Sequence, residues 1–128
     1  MKKNDWTRIP LQAALQHLPP PEPPPPNAPG PFALADAERT QHILAGAGFS
    51  NIALEPFTPT LRISEAPSLE QAVQELARIG PVARLLENQP QAVLDKVFPA
   101  MTEALAPYYL DGALQMSAAI WLVTADNP

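Results

Sequence analysis

Three stretches of sequence decide the fold, and the first is DAERTQHILAGAGF at residues 36–49. NIALEPFTP at residues 51–59 follows it directly, and AAIWLVTA at residues 118–125 lies near the end of the chain. Asp36 is a favourable N-cap for a helix, and Gly48 supplies the left-handed position that commonly ends one. The sequence therefore predicts a helix, a glycine turn, a strand and, after a helical insertion, a closing apolar strand.

The composition limits the classes of protein to which the chain can belong. Its 128 residues, 46% of them hydrophobic, suit one domain with its own core. The net charge is -5 and the eight Lys and Arg residues are scattered, so we expect neither nucleic acid nor an anionic membrane as a partner. The sequence has no cysteine, no stretch long enough for a membrane span, and no apolar run after its N-terminal lysines. We expect a cytoplasmic protein.

A proline-rich stretch follows a first predicted helix. Within the predicted helical segment 1–18, residues 6–18 carry apolar residues at near-helical spacing, with Pro10 expected in the first turn of the helix, where proline is tolerated. Nine of the 13 residues from Pro19 to Pro31 are proline, which is typical of polyproline II geometry. We interpret residues 19–35 as a semi-rigid linker, with an SH3-type ligand as the alternative.

Residues 36–66 are predicted to form a helix and an edge strand. The buried stripe of this helix is expected to consist of the apolar residues Ile43, Leu44 and Ala47. Residues 51–63 then alternate in polarity, but Pro56 and Pro59 interrupt them. Proline cannot donate to a central ladder, so this strand should lie at an edge or contain a bulge.

Residues 67–110 are predicted to be helical. Ser68 and Gln71 match a capping box, Gly80-Pro81 ends the first helix and starts a second, and Pro90 opens a third. The apolar face of the first of these helices is expected to comprise Leu69, Ala72, Val73, Leu76 and Ile79.

The chain closes with a strand within residues 111–128. Residues 118–123 are apolar without alternation. A strand that is apolar on both faces is usually central in its sheet and covered on both sides. We therefore predict that this strand is buried.

These elements, in this order, resemble the C-terminal end of a class I S-adenosylmethionine-dependent methyltransferase of the bacterial small-molecule type. The resemblance extends over residues 4–124. Residues 51–63 are similar to the sixth strand of that family, residues 113–124 to the seventh, and the helices between Ser68 and Tyr108 to the lid inserted between them. It implies an α/β fold, the C-terminal portion of a Rossmann-like domain, with an antiparallel strand pair and a helical lid between the strands.

The chain departs from the family in lacking the cofactor-binding turn D/E-x-G-x-G, which would follow a first strand. Gly46 and Gly48 end a helix instead. Residues 1–128 thus resemble a single partial domain, the substrate-side half, which would bind S-adenosylmethionine only when complemented by an N-terminal half. The partners implied are that half or a second copy of the chain, and a small-molecule methyl acceptor.

The resemblance also implies which residues face the substrate, because the segments after the fifth strand and in the lid line that side of the cleft in the family. The candidates are Trp6, Arg8, Phe32, Arg78 and Arg84. The aromatic rings would form an apolar wall and the arginines would hold a carboxylate. Alternatively, Trp6 staples the first helix and the arginines are solvated. No catalytic residue and no metal site is predicted, since the only histidines, His17 and His42, have no acidic residue at ligand spacing.

Two functions remain open from the sequence. The first is a methyltransferase half that is inactive alone and needs its complement. The second is a non-enzymatic fragment or interaction module that self-associates through an exposed strand edge.

Overall fold

A computed structural model describes residues 4–23 and 25–128 of the chain. The first three residues of the predicted N-terminal helix region and Pro24 of the proline-rich stretch lie outside the described residues. Within them the fold is mixed α/β, with five α-helices and two small antiparallel sheets.

The helices and strands follow one another along the chain in a mixed order. In that order they are α1 (Asp5–Leu15), α2 (Ala37–Gly46), β1 (Ser50–Phe57), β2 (Thr60–Glu65), α3 (Leu69–Leu76), α4 (Gly80–Leu86), α5 (Gln91–Leu105), a 3₁₀ turn (Ala106–Tyr108), β3 (Tyr109–Leu110), β4 (Ala113–Ser117) and β5 (Ile120–Asp126).

The chain divides into two compact units. The helical unit contains residues 4–22 and 59–118 and holds α1, α3, α4, α5 and a sheet with strand order β2-β4-β3. The ribbon unit contains residues 23, 25–58 and 119–128 and holds α2 and the pair β1-β5. This division is finer than the single partial domain expected from the sequence.

The helical unit has a continuous apolar core. Helices α1 and α3 both pack against α5 and against β4, the central strand of the sheet. The core residues are Ala13, Ala14, Leu18, Ala72, Val73, Leu76, Ala77, Val82, Val97, Met101, Leu105, Leu114 and Met116.

The starting positions of three of the four helices of the helical unit match the sequence. The Ser68 hydroxyl accepts a hydrogen bond from the backbone N–H of Gln71 at 3.3 Å, as the predicted cap requires. Gly80, at φ +69°, is the first residue of α4 and is followed by Pro81, and Pro90 precedes α5. Ile79 is an exception to the predicted α3 face, because it lies beyond the end of that helix and is exposed.

The expected position of Pro10 in α1 was wrong. The helix begins at Asp5, so Pro10 lies in its second turn and is buried. A proline there cannot donate to the carbonyl of Trp6, four residues earlier. Burial against the helical core accompanies this loss of a backbone hydrogen bond.

Both long strands expected from the sequence are divided in two. The predicted edge strand 51–63 breaks between β1 and β2, where Pro59 interrupts the ladder, and the predicted closing strand 113–124 breaks between β4 and β5. The backbone N–H of Ala118 donates to the Pro59 carbonyl at 3.0 Å, beyond the ends of β2 and β4. Each long strand therefore contributes to two different sheets.

The turn from β3 to β4 is a two-residue hairpin formed by Asp111 and Gly112. Their φ angles are +50° and +76°, and Leu110 pairs with Ala113 on either side. Positive φ at both central residues is the requirement of a type I′ turn, which Asp-Gly meets well. This hairpin places β4 between β2 and β3.

The antiparallel pairing of β1 with β5 was predicted correctly, with α3, α4 and α5 lying between the two strands along the chain. Phe57 pairs with Ile120 at one end, and Ser50 pairs with Asp126 at the other. The register shifts between Ser50 and Ala53, where Asn51 has φ +51°. The prolines thus fall in or beside a strand with one partner, as an edge strand requires.

Helix α2 begins and ends as its sequence predicts. The Asp36 carboxylate accepts hydrogen bonds from the backbone N–H groups of Glu38 at 3.0 Å and Arg39 at 3.3 Å. At the other end Gly48 has φ +98°, and the N–H groups of Gly48 and Phe49 bond back to the carbonyls of Ala45 and Leu44. These two bonds form a Schellman motif.

The predicted burial in the ribbon unit was wrong. Ile43 of the expected α2 stripe is 47% exposed, and Ala47 is also exposed. Strand β5, expected to be central and covered, has one strand partner, and its residues Ile120 to Val123 are all exposed. The buried strand is β4 instead, because it lies between two strands and packs against helices.

Candidate functional site

The predicted substrate-side residues do not all belong to one unit. Trp6, Arg8, Arg78 and Arg84 lie in the helical unit, whereas Phe32 lies in the ribbon unit. The surroundings of each residue indicate what its side chain can do.

Trp6 packs over the start of α4. A methyl group added at Gly80 would lie 3.1 Å from Cζ3 of the indole, so the ring lies directly against the glycine backbone. The indole Nε1 donates to Oδ1 of Asn4 at 3.3 Å. The ring therefore connects α1 to the start of α4.

The guanidinium of Arg8 is held by its own helix. Its Nη2 lies 2.6 Å from Oδ1 of Asp5, Nε donates to the same oxygen at 3.2 Å, and Nη1 donates to Gln12 at 3.4 Å. The hydrogen bond from Arg8 lowers the pKa of Asp5 below its usual value; burial opposes this shift, and the Ser117 hydroxyl adds to it. A substrate carboxylate would have to displace Asp5 to reach this arginine.

Phe32 lies in the turn before α2 and is half-buried. Its carbonyl accepts the backbone N–H of Ala35 at 3.1 Å. The next residues are bound by α2, because Nη1 of Arg39 donates to the Ala33 carbonyl at 2.6 Å and the Thr40 hydroxyl donates to the Leu34 carbonyl at 3.0 Å. This turn is thereby joined to the first turn of the helix.

Arg78 is the predicted residue that lines a groove. The groove, of about 810 Å³, lies between the end of α3, α4 and the first half of α5. Its lining residues are Gln74, Ala77, Arg78, Ala83, Leu86, Glu87, Gln91, Leu94, Asp95, Phe98 and Pro99. Arg84, also exposed, is not among them.

The groove is lined by apolar side chains and by charges of both signs. Leu86, Leu94 and Phe98 are partly buried side chains in its wall. Arg78 contributes one positive charge, whereas Glu87 and Asp95 contribute two negative charges. Since Asp95 already accepts a hydrogen bond from Gln91 at 2.8 Å, Arg78 and Glu87 are the groups best suited to bind a polar ligand.

The described residues offer no metal centre. No group of three or more His, Cys, Asp or Glu side chains among them is arranged to hold an ion. His17 and His42 are both exposed and lie in different units. Among the same described residues, no helix has the length and apolar character needed to cross a membrane.

A second feature is an apolar surface in the ribbon unit. Consecutive side chains of β5 are exposed by 47% at Ile120, 37% at Trp121, 45% at Leu122 and 42% at Val123; we call them the β5 patch. Apart from the strand ladder, Nε1 of Trp121 donates to the Ala35 carbonyl at 2.9 Å. The apolar run of β5 was visible in the sequence, but the same run also fits a buried strand.

Further apolar side chains of the ribbon unit were not singled out as exposed from the sequence. They are Leu34 at 55%, Ile43 at 47% and Phe57 at 47%. Phe57 lies opposite Ile120 in the ladder and so shares a face of the ribbon with it. The apolar surface therefore extends from β5 onto β1.

Comparisons with protein-family models, curated proteins and solved structures found no match to the chain.

Proposed function

We propose that the chain is the substrate-side, C-terminal half of a class I S-adenosylmethionine-dependent methyltransferase. The observation that carries the proposal is the antiparallel pairing of β1 with β5 across a long helical excursion. In that family the sixth and seventh strands, to which β1 and β5 would correspond, form an antiparallel pair of this kind at the end of the sheet. We also propose that the chain is part of a Rossmann-like fold.

The cofactor site must come from elsewhere. None of the five glycines follows a strand in the sequence context D/E-x-G-x-G, and Gly46 and Gly48 belong to the end of α2. S-adenosylmethionine would therefore bind only after a cofactor-binding half is added, either as another chain or as sequence preceding these residues. The β5 patch is an apolar surface that such a half could cover.

The groove beside Arg78 is the proposed position for part of the methyl acceptor. An arginine at the rim suits a carboxylate, and Leu94 and Phe98 suit an apolar body of the same molecule. The acceptor would accordingly be a small carboxylic acid with an apolar portion. Methyl transfer itself asks chiefly for alignment of acceptor and sulfonium, so a site without an acid–base pair is adequate.

Calorimetry tests the proposal in two steps. The purified chain alone should show no micromolar binding of S-adenosylmethionine. Binding should appear when the chain is co-purified with the product of an upstream reading frame that contains a Gly-rich turn after its first strand. Micromolar binding by the chain alone, or a co-purified pair that binds no cofactor, would count against the proposal.

A substitution then separates the groove from the fold. In the complemented pair, Arg78→Ala should raise the KM for a carboxylic acceptor by roughly 10- to 100-fold, whereas Arg84→Ala should change it little, since Arg84 lies outside the groove. An equal effect of the two substitutions would remove Arg78 from the acceptor site.

The second candidate is a non-enzymatic fragment or interaction module. The β5 patch favours it, because an apolar strand exposed on a ribbon is a site for association whether or not an enzyme is ever assembled. Absence of cofactor binding with every upstream partner would leave this candidate in place of the first.

A further inference from the structure

Strand β5 has an outer edge, opposite β1, with which no strand in the described part of the chain pairs. Strand β5 pairs with β1 on one side, and the described residues of the ribbon unit contain no strand on its other side. A free strand edge presents a row of N–H and C=O groups that can pair with another chain. The outer edge of β5 is therefore a candidate surface for strand pairing.

The edge of β5 lacks the features that usually prevent pairing. AAIWLVTA at residues 118–125 contains no charged residue and no proline, and Asp126 is the first charge after it. Strand β1 differs, since it carries Glu55 and Pro56. Charges and prolines on an edge strand oppose edge-to-edge association, so the ribbon has one protected edge and one unprotected edge.

We propose that a second copy of the chain covers this edge, with two β5 strands pairing antiparallel about a two-fold axis at Leu122. In that register Trp121 lies opposite Val123 of the other copy, and Ile120 lies opposite Thr124. Every opposed pair in the centre is uncharged, and Asp126 of each copy falls at the end of the ladder. The sequence of β5 is thus compatible with antiparallel pairing to a second β5 strand.

The proposed dimer is also a closed assembly. Pairing of the two ribbons gives a four-stranded sheet in the order β1-β5-β5-β1, whose outer edges are the proline-bearing strands. A two-fold interface uses the same surface twice and leaves no free apolar edge for further addition. The product is a dimer and not a fibre.

The alternation of side chains along β5 sets the expected strength. Ile120 and Leu122 lie on one face of the ribbon and Trp121 and Val123 on the other, so edge pairing adds a small apolar contact on each face and not one continuous patch. With both copies counted, the apolar area stays below the ~1,200 Å² of a standard stable interface. The hydrogen bonds of the strand ladder also stabilise the dimer, and we expect a dissociation constant in the micromolar range. The dimer deepens the second candidate function, self-association through a strand edge, and rests on it; the dimer uses the edge of β5 that a complementing half would otherwise cover.

Sedimentation equilibrium of the full chain from about 1 to 500 µM tests the dimer. The wild-type chain should pass from monomer to dimer across this range. Leu122→Lys places two ammonium groups opposite each other on the axis, and the dimer should weaken at least roughly 100-fold. Ile43→Lys is the matched control, since Ile43 is 47% exposed, close to the 45% of Leu122, but lies on α2. It should leave dimerisation unchanged.

A charge pair tests the register. Ile120→Lys alone should weaken the dimer roughly 10-fold by putting an unpaired charge at the interface. Adding Thr124→Glu places an opposite charge across from that lysine in each half of the two-fold ladder, and should restore the dissociation constant to within about threefold of wild type. Far-UV circular dichroism verifies that each variant is folded.

The proposal is overturned by a wild-type chain that stays monomeric at the highest concentration, or by assemblies that grow beyond a dimer. It is equally overturned if Leu122→Lys and Ile43→Lys have the same effect. If Leu122→Lys does not fold, the Ile120→Lys and Thr124→Glu pair decides, and a double variant no better than the single one contradicts the register. None of these measurements involves S-adenosylmethionine, so their outcome is separate from that of the proposed function.

Discussion

The helical unit and the ribbon unit contain similar kinds of apolar residues but bury them very differently. In the helical unit Leu76, Met101 and Leu105 are at most 1% exposed. In the described residues of the ribbon unit, Thr40 is the only buried residue. Four helices and a three-stranded sheet can enclose a core, whereas one helix and a two-stranded ribbon cannot. The ribbon unit thus has secondary structure without a core of its own.

This difference assigns the two units different roles. The free energy of unfolding should come chiefly from the helical unit, because burial of apolar area is the dominant favourable contribution to folding. The ribbon unit keeps apolar side chains available for another surface, as both the proposed complement and the proposed dimer require. Stability and association are therefore separated along the chain.

The largest expected effect is a core truncation in the helical unit. Leu105→Ala removes a fully buried side chain and should lower the free energy of unfolding by about 2–5 kcal/mol. Leu34→Ala is the matched change in the ribbon unit, where the leucine is 55% exposed, and should cost less than about 0.5 kcal/mol. Urea unfolding followed by circular dichroism measures both. Equal losses would contradict the contrast between the units.

Two glycines sharpen the comparison at the level of the backbone. Gly80 has φ +69° and Trp6 lies 3.1 Å from the position of an added methyl group, so Gly80→Ala should cost about 1–2 kcal/mol. Gly46, in α2, has nothing within 4 Å of that position, and Gly46→Ala should be neutral or stabilise by up to about 0.5 kcal/mol. Thermal unfolding of the two variants gives the sign of each change, and a stabilised Gly80→Ala would refute the packing of Trp6.

The smallest expected effect is the pH dependence contributed by Asp5. The hydrogen bond from Arg8 lowers its pKa in the folded state below the usual 3.8. A lowered carboxyl pKa stabilises the fold at pH values above the unfolded pKa, and the contribution is lost as the pH falls through the folded pKa. Wild type should therefore exceed Asp5→Asn by at most about 0.5 kcal/mol near neutral pH, and the difference should shrink in acid. A difference that grows on acidification would have the wrong sign.

Helix ends were the most predictable part of the fold. Asp36 and Ser68 accept hydrogen bonds from backbone groups two or three residues away, and Gly48 adopts the left-handed conformation that its sequence position indicates. Each of these features depends on atoms within one turn of the chain. Local sequence contains all the information needed for them.

The candidate site was less predictable. Arg78 does line a groove, but most of the lining comes from residues of α4 and α5 that no motif marks, such as Leu86 and Phe98. Trp6 and Arg8 already have intramolecular partners, Asn4 and Asp5. A substrate role for an arginine depends on whether its charge is already paired, and pairing is decided by side-chain geometry that composition does not contain.

By itself, the sequence determined both ends of α2 and the start of α3, the extended character of residues 51–63 and 113–124, and, through the resemblance, the antiparallel pairing of β1 with β5. Only the tertiary structure decided that each extended stretch is shared between two sheets, and that β4 is buried while β5 is exposed. Backbone conformation follows from interactions between near neighbours, and an apolar strand has the same sequence whether it is covered or bare. Burial depends on which elements pack beside a strand, and among the described residues β1 is the one strand that pairs with β5.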